Sequence, residues 1–560
     1  MKTFIVPLAA MLVAVSLANE VHRTYDSDHQ HKRSQLQSGR QAVGYDPIET
    51  TSEFWQQKAQ DILKAKLNEV PTVTKAKNVV YFIGDGMSAQ TIAATRMYMG
   101  NENRMLSFEQ FPYLATAKTY CVNRQVPDSA CTATAFMSGV KNNYGMINVG
   151  PHVPRYNCEY NRTEAEFLGL LKWAQEAGMA TGLVTNTRIT HATPAGTYAS
   201  VADRDWEDDS FVKKAGCDVN EYPDIAHQLI HGEVGKNFKV ILGGGRAHFV
   251  PSTQMDDENV AGSRTDGRNL INEWKEAHPG NSEYVWNKAG LQSIDVENTE
   301  NVLGLFQSGH CLYNLEIDDL KLGAVKPKLS EMVEVALKVL SNSANGFFLF
   351  VEGGKIDMAH HGTQPRLALE ETVEFSRAIE LAHKMTNVED TLIVVSSDHG
   401  HTMTYNGYTK RGSDILGIAD VSDEDGLPYT TLSYANGAGY YRTYKDANHA
   451  EREDISGYNY EDYNTQYLAT VPLSSEAHGG EDVAVFASGP LAHVFRGNIE
   501  QNVLPDLISY AAKIGQYLEN GGEGDGGDDG DGDGSGSSLM VCIQLTVVCA
   551  VAALFAQLKW

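Results

Sequence analysis

The chain is poor in basic residues: 45 lysines and arginines stand against 72 aspartates and glutamates, a formal net charge of −27. Because a nucleic-acid backbone is bound through basic patches, this shortage argues against nucleic acid as a partner. It still allows a small phosphorylated substrate, provided that cations at one site reverse the local field. The apolar content of 42% indicates a globular chain, and 560 residues allow one large α/β domain or several smaller ones.

Cysteine is also scarce, with seven residues in 560. Cys542 and Cys549 lie in an apolar stretch at the C-terminus. In an oxidising compartment an even subset of the other five should pair, which leaves one thiol over. Those five are Cys121, Cys131, Cys158, Cys217 and Cys311.

Long apolar runs are confined to the two ends of the chain. Residues 1–18 combine Lys2, an apolar run and small residues before the expected cleavage point, which is typical of a signal peptide. The polar residues 19–45 are predicted to be a mobile or processed leader. A Gly/Asp/Ser linker (516–538) and an apolar tail (539–560) resemble a GPI-attachment signal, whose tail is removed. The alternative is a membrane-spanning anchor, but the tail is only marginally long enough.

These ends predict a GPI-anchored protein on the extracellular face of the cell membrane. Asn161 heads the one Asn-x-Ser/Thr sequon of the chain, which fits secretion and predicts a glycosylation site.

Short blocks of consecutive apolar residues recur between the two ends. They lie at 78–86, 179–187, 238–246, 346–354, 390–401 and 481–490. Continuous rather than alternating apolarity is typical of strands buried on both faces. Helical periodicity separates them, over 164–178, 329–343 and 366–385. The pattern predicts an α/β fold with a large central, mostly parallel sheet flanked by helices on both faces. Residues 405–472 interrupt it and are predicted to form a small insertion.

Ser129 stands in "VPDSACTATAFMSGVK", where a helical pattern begins. A serine at such a place is most often a helix N-cap. It could also be a nucleophile that meets an anion, because a helix start presents free N–H groups and the positive end of the helix dipole. No G-x-S-x-G turn surrounds it, so acyl transfer by a serine hydrolase has little support.

Carboxylates and imidazoles follow several of the predicted strands. Alone, an Asp there is usually a turn former and a His is usually structural. Together they indicate a site, because ligands of open α/β sheets bind beyond the carboxyl ends of the strands. Mixed nitrogen and carboxylate ligands suit Zn²⁺, oxygen ligands suit Mg²⁺, and paired metals serve phosphoryl transfer. The residues are Asp85, Glu352, Asp357, His360, His361, Asp398, His399, His401 and His478.

Six segments resemble the signature segments of animal alkaline phosphatases, in that family's order. They are "GDGMS", "VPDSACTATA", "HATPAGTYA", "FVEGGKIDMAHH", "SSDHGHT" and "EAHGGEDVAVFASGP". The resemblance covers residues 50–500, and membrane-bound insect-type enzymes are nearest in style. It implies a catalytic domain over 46–515 that hydrolyses phosphate monoesters at alkaline pH through a phosphoserine. It further implies two Zn²⁺ and one Mg²⁺ per subunit, a homodimer, and a crown-like subdomain at 405–472.

The same resemblance implies roles for single residues. Ser129 matches the nucleophile, and Arg204 matches an arginine whose planar fork grips two phosphate oxygens. A surface ion pair with Asp203 or Asp205 is the alternative for Arg204. The implied metal ligands are Asp85, Ser129, Asp398 and His399 for the zinc that activates the serine, Asp357, His361 and His478 for the zinc that activates water, and Asp85, Thr193 and Glu352 for magnesium. His191, His360 and His401 are expected to support these ligands from behind.

Pairing of Cys158 with Cys217 matches a disulfide that the family shares, and a bond between Cys121 and Cys131 would stiffen the Ser129 segment. Two positions depart from vertebrate members. Met358 replaces a histidine, so we expect altered Mg²⁺ binding. Gln307 replaces a carboxylate at a fourth, calcium-type site, which we expect this chain to lack.

Three other functions remain as alternatives. A related phosphodiesterase would usually present a threonine nucleophile, and a sulfatase would need its own modification motif, which is not found. An inactive surface docking receptor is disfavoured because no implied ligand is missing.

Overall fold

The structure, a computed structural model, describes residues 46–445 and 451–518. The predicted signal peptide, leader and apolar tail lie outside the described residues, as does the linker beyond residue 518. Within the described part of the chain, no helix has both the length and the apolarity to cross a membrane.

The strands are numbered in chain order. They are β1 (Asn78–Ile83), β2 (Tyr113–Lys118), β3 (Ala180–Arg188), β4 (Val240–Gly244), β5 (Ser282–Val285), β6 (Asn301–Leu305), β7 (Phe347–Glu352), β8 (Thr391–Ser396), β9 (Gly400–His401), β10 (Met403–Tyr405), β11 (Ile418–Val421), β12 (Pro428–Thr430), β13 (Leu432–Gly437), β14 (Ala469–Pro472), β15 (His478–Gly479), β16 (Val483–Ser488) and β17 (Gly497–Glu500).

Ten strands form one sheet in the order β17-β2-β16-β8-β1-β7-β3-β4-β6-β5. The run from β8 to β5 is parallel throughout. The prediction of a large, mostly parallel sheet is therefore confirmed, with β16 as the exception, because it runs antiparallel to both β2 and β8. Its apolar run predicted burial but carried no information on direction.

The α-helices are likewise numbered in chain order. They are α1 (Ser52–Leu67), α2 (Ala89–Tyr98), α3 (Ser129–Ser138), α4 (Arg162–Ala165), α5 (Leu170–Glu176), α6 (Ala192–Ala195), α7 (Asp209–Lys214), α8 (Ile225–His231), α9 (Leu270–Ala277), α10 (Lys288–Ser293), α11 (Asn314–Asp319), α12 (Leu329–Leu340), α13 (Lys355–His361), α14 (Pro365–Met385), α15 (Tyr440–Thr443) and α16 (Leu504–Ala512).

Each face of the sheet is covered by its own apolar core, as β1 illustrates. Val79, Tyr81 and Ile83 point into one cluster, which includes side chains of α3, α5, α8 and α16. Val80 and Phe82 point into the other, which includes side chains of α12 and α14. Because alternate side chains of a strand face opposite ways, burial of both faces explains the continuous apolar runs.

The helix predicted over 164–178 is broken in two. Between α4 and α5 the backbone bonds elsewhere: the Phe167 N–H donates to the Asn148 carbonyl at 3.1 Å. Gly169 then passes so close to α3 that a Cβ would lie 1.8 Å from the Met137 carbonyl oxygen. Tertiary pairing thus overrides a local helical pattern.

Residues 403–472 leave the main sheet and form small sheets of their own. β10, β13 and β14 make a three-stranded sheet, and β11 pairs with β12. Their core includes Leu432, Tyr434 and Tyr467, and it reaches Ala94 of α2 and Leu369 of α14. The packing therefore joins this segment to helices on one side of the main sheet.

Candidate active site and metal centre

Three neighbouring strands of the sheet end at the same level. In register, Ile83 of β1 lies opposite Glu352 of β7 and opposite Ser396 of β8. Asp85 follows β1 by two residues and Asp398 follows β8 by two. Parallel strands that end together thus deliver three carboxylates to one edge of the sheet.

Asp85, Asp398 and His399 form the first group of candidate metal ligands. Each offers a ligand atom, and these atoms all lie within 4.8 Å of one another, with all three residues buried. The Oγ of Ser129 lies 3.2 Å from Nε2 of His399. The Ser129 hydroxyl therefore lies beside a group of ligands drawn from two other segments of the chain.

Ser129 does not cap its helix. Asp128 is the N-cap of α3, and its Oδ1 accepts a hydrogen bond from the Cys131 N–H at 3.3 Å. The sequence alone favoured the cap for an isolated serine, and that assignment is wrong by one residue. The hydroxyl is consequently available for chemistry. Ser129 is also 1% exposed rather than open to solvent.

Asp357, His361 and His478 form the second group, together with His401. The Nε2 atoms of His361 and His478 lie 3.2 Å apart. Both lie close to Oδ1 of Asp357, at 3.4 and 3.3 Å respectively. Two imidazole nitrogens and a carboxylate oxygen therefore converge on one place. The two Nε2 atoms have no hydrogen between them, so this arrangement fits a bound cation.

The outer nitrogens of these histidines are fixed by backbone carbonyls. Nδ1 of His361 donates to the Glu476 carbonyl at 2.5 Å, and Nδ1 of His478 donates to the Pro127 carbonyl at 2.8 Å. Since a carbonyl only accepts, each Nδ1 carries the proton and each Nε2 presents a lone pair.

His401 lies between two carboxylates. Its Nε2 is 2.7 Å from Oδ1 of Asp357, and its Nδ1 is 2.5 Å from Oε2 of Glu476. Burial alone would lower the pKa of His401, but Glu476 and Asp357 together raise this pKa to about 10. His401 therefore behaves as a cation that holds Asp357 from behind.

Gly86 allows His401 to approach the backbone that follows β1. Its φ is +70°, and a Cβ there would lie 2.4 Å from Nε2 of His401. The Gly86 N–H donates to Oδ1 of Asp398 at 3.0 Å. Only glycine combines this backbone conformation with so close an approach.

Asp85, His191 and Glu352 form a third group. Thr193 belongs to it through a bond from its Oγ1 to Oδ2 of Asp85 at 3.3 Å. Among the described residues, Oδ1 of Asp85, Oε1 of Glu352 and Nδ1 of His191 are buried without a hydrogen-bond partner. Orphaned atoms that face one place fit a hydrated cation.

His191 is oriented by Arg204. Nη2 of Arg204 lies 3.1 Å from Nε2 of His191. Because a guanidinium only donates, Nε2 must accept, and Nδ1 then carries the proton. That Nδ1–H suits a water on the cation rather than the cation itself.

Arg204 does not pair with Asp203 or Asp205. Its Nη1 bonds Oδ2 of Asp128 at 3.0 Å, whereas Asp203 pairs with Arg155. Burial lowers the pKa of Arg204, but Asp128 outweighs this effect and raises it overall. The surface ion-pair alternative is therefore wrong, and Arg204 is tied to the residue that precedes Ser129.

The site is crowded with negative charge. Burial, followed by Asp398, Asp357 and Glu352, raises the pKa of Asp85. Burial likewise raises the pKa of Glu352 to about 7. Buried carboxylates this close cannot all ionise unless cations compensate them. The donor sets suit the expected ions: mixed nitrogen and oxygen in the first two groups, and oxygen from Asp85, Thr193 and Glu352 in the third.

His360 is placed differently from the other imidazoles. Its Nε2 bonds Oγ1 of Thr91 at 2.9 Å and its Nδ1 bonds the hydroxyl of Tyr434 at 3.0 Å. With both nitrogens engaged by hydroxyls, His360 links α2 to the 403–472 segment and packs beside His401.

The disulfides join the cysteines that were expected to pair. Cys121 bonds Cys131 and Cys158 bonds Cys217, while Cys311 is a buried free thiol. Burial raises the pKa of the Cys311 thiol to about 12. Its protonated form is therefore the stable one at neutral pH.

The residues around Gln307 do not fit a calcium site. The ammonium of Lys326 donates to the Phe306 carbonyl at 2.7 Å and forms an ion pair with Glu258. Arg246 pairs with Glu258 at 2.6 Å and with Asp256 at 2.8 Å. The oxygens that could bind a cation here already face two side-chain cations, Lys326 and Arg246.

Comparison with known proteins decides the family. The family model described as alkaline phosphatase matches residues 76–514. The chain belongs to the alkaline phosphatase family. A membrane-bound alkaline phosphatase of Bombyx mori is 45% identical over 482 residues, which cover 83% of this chain and 86% of the relative. The human tissue-nonspecific alkaline phosphatase is 42% identical over 490 residues, covering 84% and 90%.

Solved alkaline phosphatases share the fold. The Thermus thermophilus enzyme superposes with a TM-score of 0.56 at 23% identity, over 80% of this chain and 93% of that one. The enzyme of the Antarctic bacterium TAB5 gives a TM-score of 0.54 at 20% identity, over 80% and 100%. Alkaline phosphatases are metal-dependent phosphomonoester hydrolases, and this chain is an enzyme of that family.

Two residues of the site were missed at the sequence level. Asp128 was quoted beside Ser129 without a role, yet it caps α3 and pairs with Arg204. Glu476 was quoted beside His478 without a role, yet it bonds both His361 and His401. An acid within two residues of an implied ligand was the signal that could have indicated either one.

Proposed function

We propose that this alkaline phosphatase hydrolyses phosphate monoesters at alkaline pH through a phosphoserine at Ser129. The Oγ of Ser129 attacks phosphorus, and the bond from phosphorus to the substrate's alcohol oxygen breaks. Water then attacks the phosphoserine and releases inorganic phosphate and Ser129. The observation that carries the proposal is the position of that Oγ, 3.2 Å from Nε2 of His399 and beside the first group of ligands.

Two Zn²⁺ and one Mg²⁺ per subunit fit the three groups described above. When bound, the zinc ions supply positive charge that lowers the pKa of an alcohol or a water and that offsets phosphoryl charge. Asp85, Asp398 and His399 would hold one zinc ion together with Ser129, and Asp357, His361 and His478 would hold the other. Asp85, Thr193 and Glu352 would hold Mg²⁺.

The chain's own residues orient the substrate. Arg204 presents a guanidinium whose direction is set by Asp128 on one side and His191 on the other. A fork held at both ends can grip two phosphate oxygens without losing much side-chain entropy. Since Asp128 also caps α3, this one residue fixes the position of the Arg204 guanidinium relative to Ser129.

The test is hydrolysis of p-nitrophenyl phosphate by the Ser129→Ala variant. We expect loss of nearly all turnover, with zinc content and thermal stability close to wild type. Ser138→Ala, at the opposite end of α3, is the matched control and should keep full activity. Activity of Ser129→Ala near the wild-type rate would end the proposal. Faster cleavage of bis-p-nitrophenyl phosphate than of the monoester by the wild type would instead indicate a phosphodiesterase.

We further propose a homodimer in which α1 contacts the second copy. α1 has no buried residue, and it exposes Trp55, Leu63 and Leu67 at 45%, 60% and 76%. Apolar side chains this exposed on one helix are typical of an interface. A dimer mass in light scattering, converted to a monomer by Leu63→Asp with Leu67→Asp, would support it; an unchanged mass would contradict it.

The membrane attachment of this enzyme is proposed to be a GPI anchor, with the protein on the outer face. The support is the C-terminal sequence pattern and the Bombyx mori relative, whose name describes it as membrane-bound. Release by a phosphatidylinositol-specific lipase tests it. Asn161 is exposed, with its side chain at the start of α4, and is the proposed glycosylation site.

A further inference from the structure

We propose that Glu476 is the positioning residue of the water-activating zinc site. This inference rests on the proposed function, because that function assigns a zinc ion to Asp357, His361 and His478. Glu476 is 1% exposed, and its side chain is one step removed from the ligands. No substrate atom needs to reach it.

The backbone of Glu476 fixes His361. Its N–H donates to the His361 carbonyl at 2.9 Å, and its carbonyl accepts from Nδ1 of His361 at 2.5 Å. This pair of bonds sets both the ring orientation and the tautomer of His361, so that Nε2 faces His478 and Asp357. The contact is independent of the side chain at position 476.

The carboxylate of Glu476 fixes Asp357 through His401. Its Oε2 accepts from Nδ1 of His401 at 2.5 Å, and Nε2 of His401 bonds Oδ1 of Asp357 at 2.7 Å. Because Nδ1 of His401 is bonded to Glu476, the imidazole ring can neither flip nor rotate away from Asp357. The aspartate is thereby held where the two Nε2 atoms converge.

The second oxygen of Glu476 is anchored as well. Oε1 accepts from both the backbone N–H and the hydroxyl of Thr402, at 2.6 and 2.5 Å. The short strands β9 and β15 pair His401 directly with His478. Glu476 therefore spans the loop before β15 and the residue after β9, and joins the two segments that carry the imidazoles.

Outer partners of metal ligands commonly contribute 10–100-fold to metal affinity or activity. In Glu476→Gln the backbone bonds to His361 persist, and the side-chain volume is kept. The amide cannot accept from both His401 and Thr402, since one of its two ends is a donor. We expect zinc to exchange or dissociate about 10–100-fold faster from this site.

The experiment measures zinc release from the full-length enzyme into a chromogenic chelator, together with kcat and KM for p-nitrophenyl phosphate. Glu476→Gln should lose one of two zinc ions quickly, and excess zinc should restore kcat with KM near wild type. Glu481→Gln is the matched control, because Glu481 is a half-buried acid in the same segment that forms no hydrogen bond with His401. Thr402→Val, which removes one of the donors to Oε1, should fall between the two.

Two results would overturn the inference. One is a release rate of Glu476→Gln equal to that of wild type and of Glu481→Gln. The other is a loss of activity that zinc does not restore, accompanied by a lower unfolding temperature of the metal-free protein, which would indicate a purely structural role. A wild type that binds no zinc or does not hydrolyse the monoester would instead contradict the proposed function itself.

Discussion

The role of Lys326 can be tested quantitatively, because its ammonium neutralises Glu258 and bonds the Phe306 carbonyl, as a bound metal cation could. The ion cluster contains two positive groups, Lys326 and Arg246, and two negative groups, Asp256 and Glu258. Lys326→Met leaves the cluster with one uncompensated negative charge and leaves the Phe306 carbonyl without its donor.

The expected cost follows from those two losses. An unsatisfied buried carbonyl costs about 1–3 kcal/mol, and breaking a buried ion pair costs about 3–5 kcal/mol. In this variant Glu258 still pairs with Arg246, and its side chain is 22% exposed. The cost of breaking its ion pair with Lys326 is therefore well below the full value for a buried pair. We expect Lys326→Met to reduce the free energy of unfolding by about 2–4 kcal/mol.

Thermal unfolding at fixed zinc and magnesium measures this effect. Lys328→Met is the matched control, because Lys328 pairs with Asp318, whose side chain is 59% exposed; such pairs contribute at most about 1 kcal/mol. The unfolding temperature of the wild type should not respond to about 1 mM Ca²⁺, a concentration that fills many extracellular sites. Lys326→Asp, which replaces the ammonium with an oxygen ligand beside Glu258 and the Phe306 carbonyl, should gain a calcium response.

The reasoning would be refuted by a Lys326→Met variant as stable as Lys328→Met. It would also be refuted by calcium-dependent stability of the wild type that Lys326→Met leaves unchanged, since a cation would then bind independently of the ammonium.

Three further predictions follow from the geometry. Arg204→Lys should lower kcat/KM for p-nitrophenyl phosphate about 10–100-fold, mainly through KM, because a point charge cannot replace the bidentate fork; steady-state kinetics measures it. Cys121→Ser with Cys131→Ser should destabilise the fold by about 2–3 kcal/mol, as opening a short loop predicts; calorimetry measures it. Burial raises the pKa of Asp208, but hydrogen bonds with His248, Ser210 and Ser263 together outweigh this effect and hold the pKa below its usual value. Asp208→Asn should therefore be less stable at pH 7, and its deficit against wild type should shrink as the pH falls below about 4 in urea titrations.

Each of these three has a contradicting result. Equal losses in kcat with an unchanged KM would place Arg204 outside substrate binding. An unchanged unfolding temperature without Cys121 and Cys131 would show that the bond does not constrain the α3 segment. A deficit of Asp208→Asn that grows toward acid pH would reverse the sign, because a carboxylate with a depressed pKa contributes stability above that pKa and loses it as protons bind.

The parallel core of the fold was predictable because burial on both faces leaves a continuous apolar run, as in β1 and β7. The direction of β16 was not predictable, because an apolar run indicates burial but does not distinguish a parallel strand from an antiparallel one. The break between α4 and α5 was also hidden, because it depends on bonds from Phe167 to Asn148, a contact that no local pattern encodes.

The candidate site divides in the same way. Carboxylates placed just after strands, such as Asp85 and Asp398, were predictable because parallel strands end at one edge. The capping assignment near Ser129 was displaced by one residue, since Asp128 competes for the same helix end and is the stronger acceptor. The role of Glu476 depends on β9 and β15 lying side by side, which follows from tertiary folding alone.

The order of strands in the main sheet has a consequence for biosynthesis. β2 is synthesised early, but both strands that it pairs with, β16 and β17, are the last two strands of the chain order, and β16 joins it to β8 and the parallel part of the sheet. His478 leaves the ribosome just before β16. A nascent chain that stops short of His478 therefore lacks one candidate ligand of the second group and the strand that joins β2 to β8, so this group is complete only late in translation.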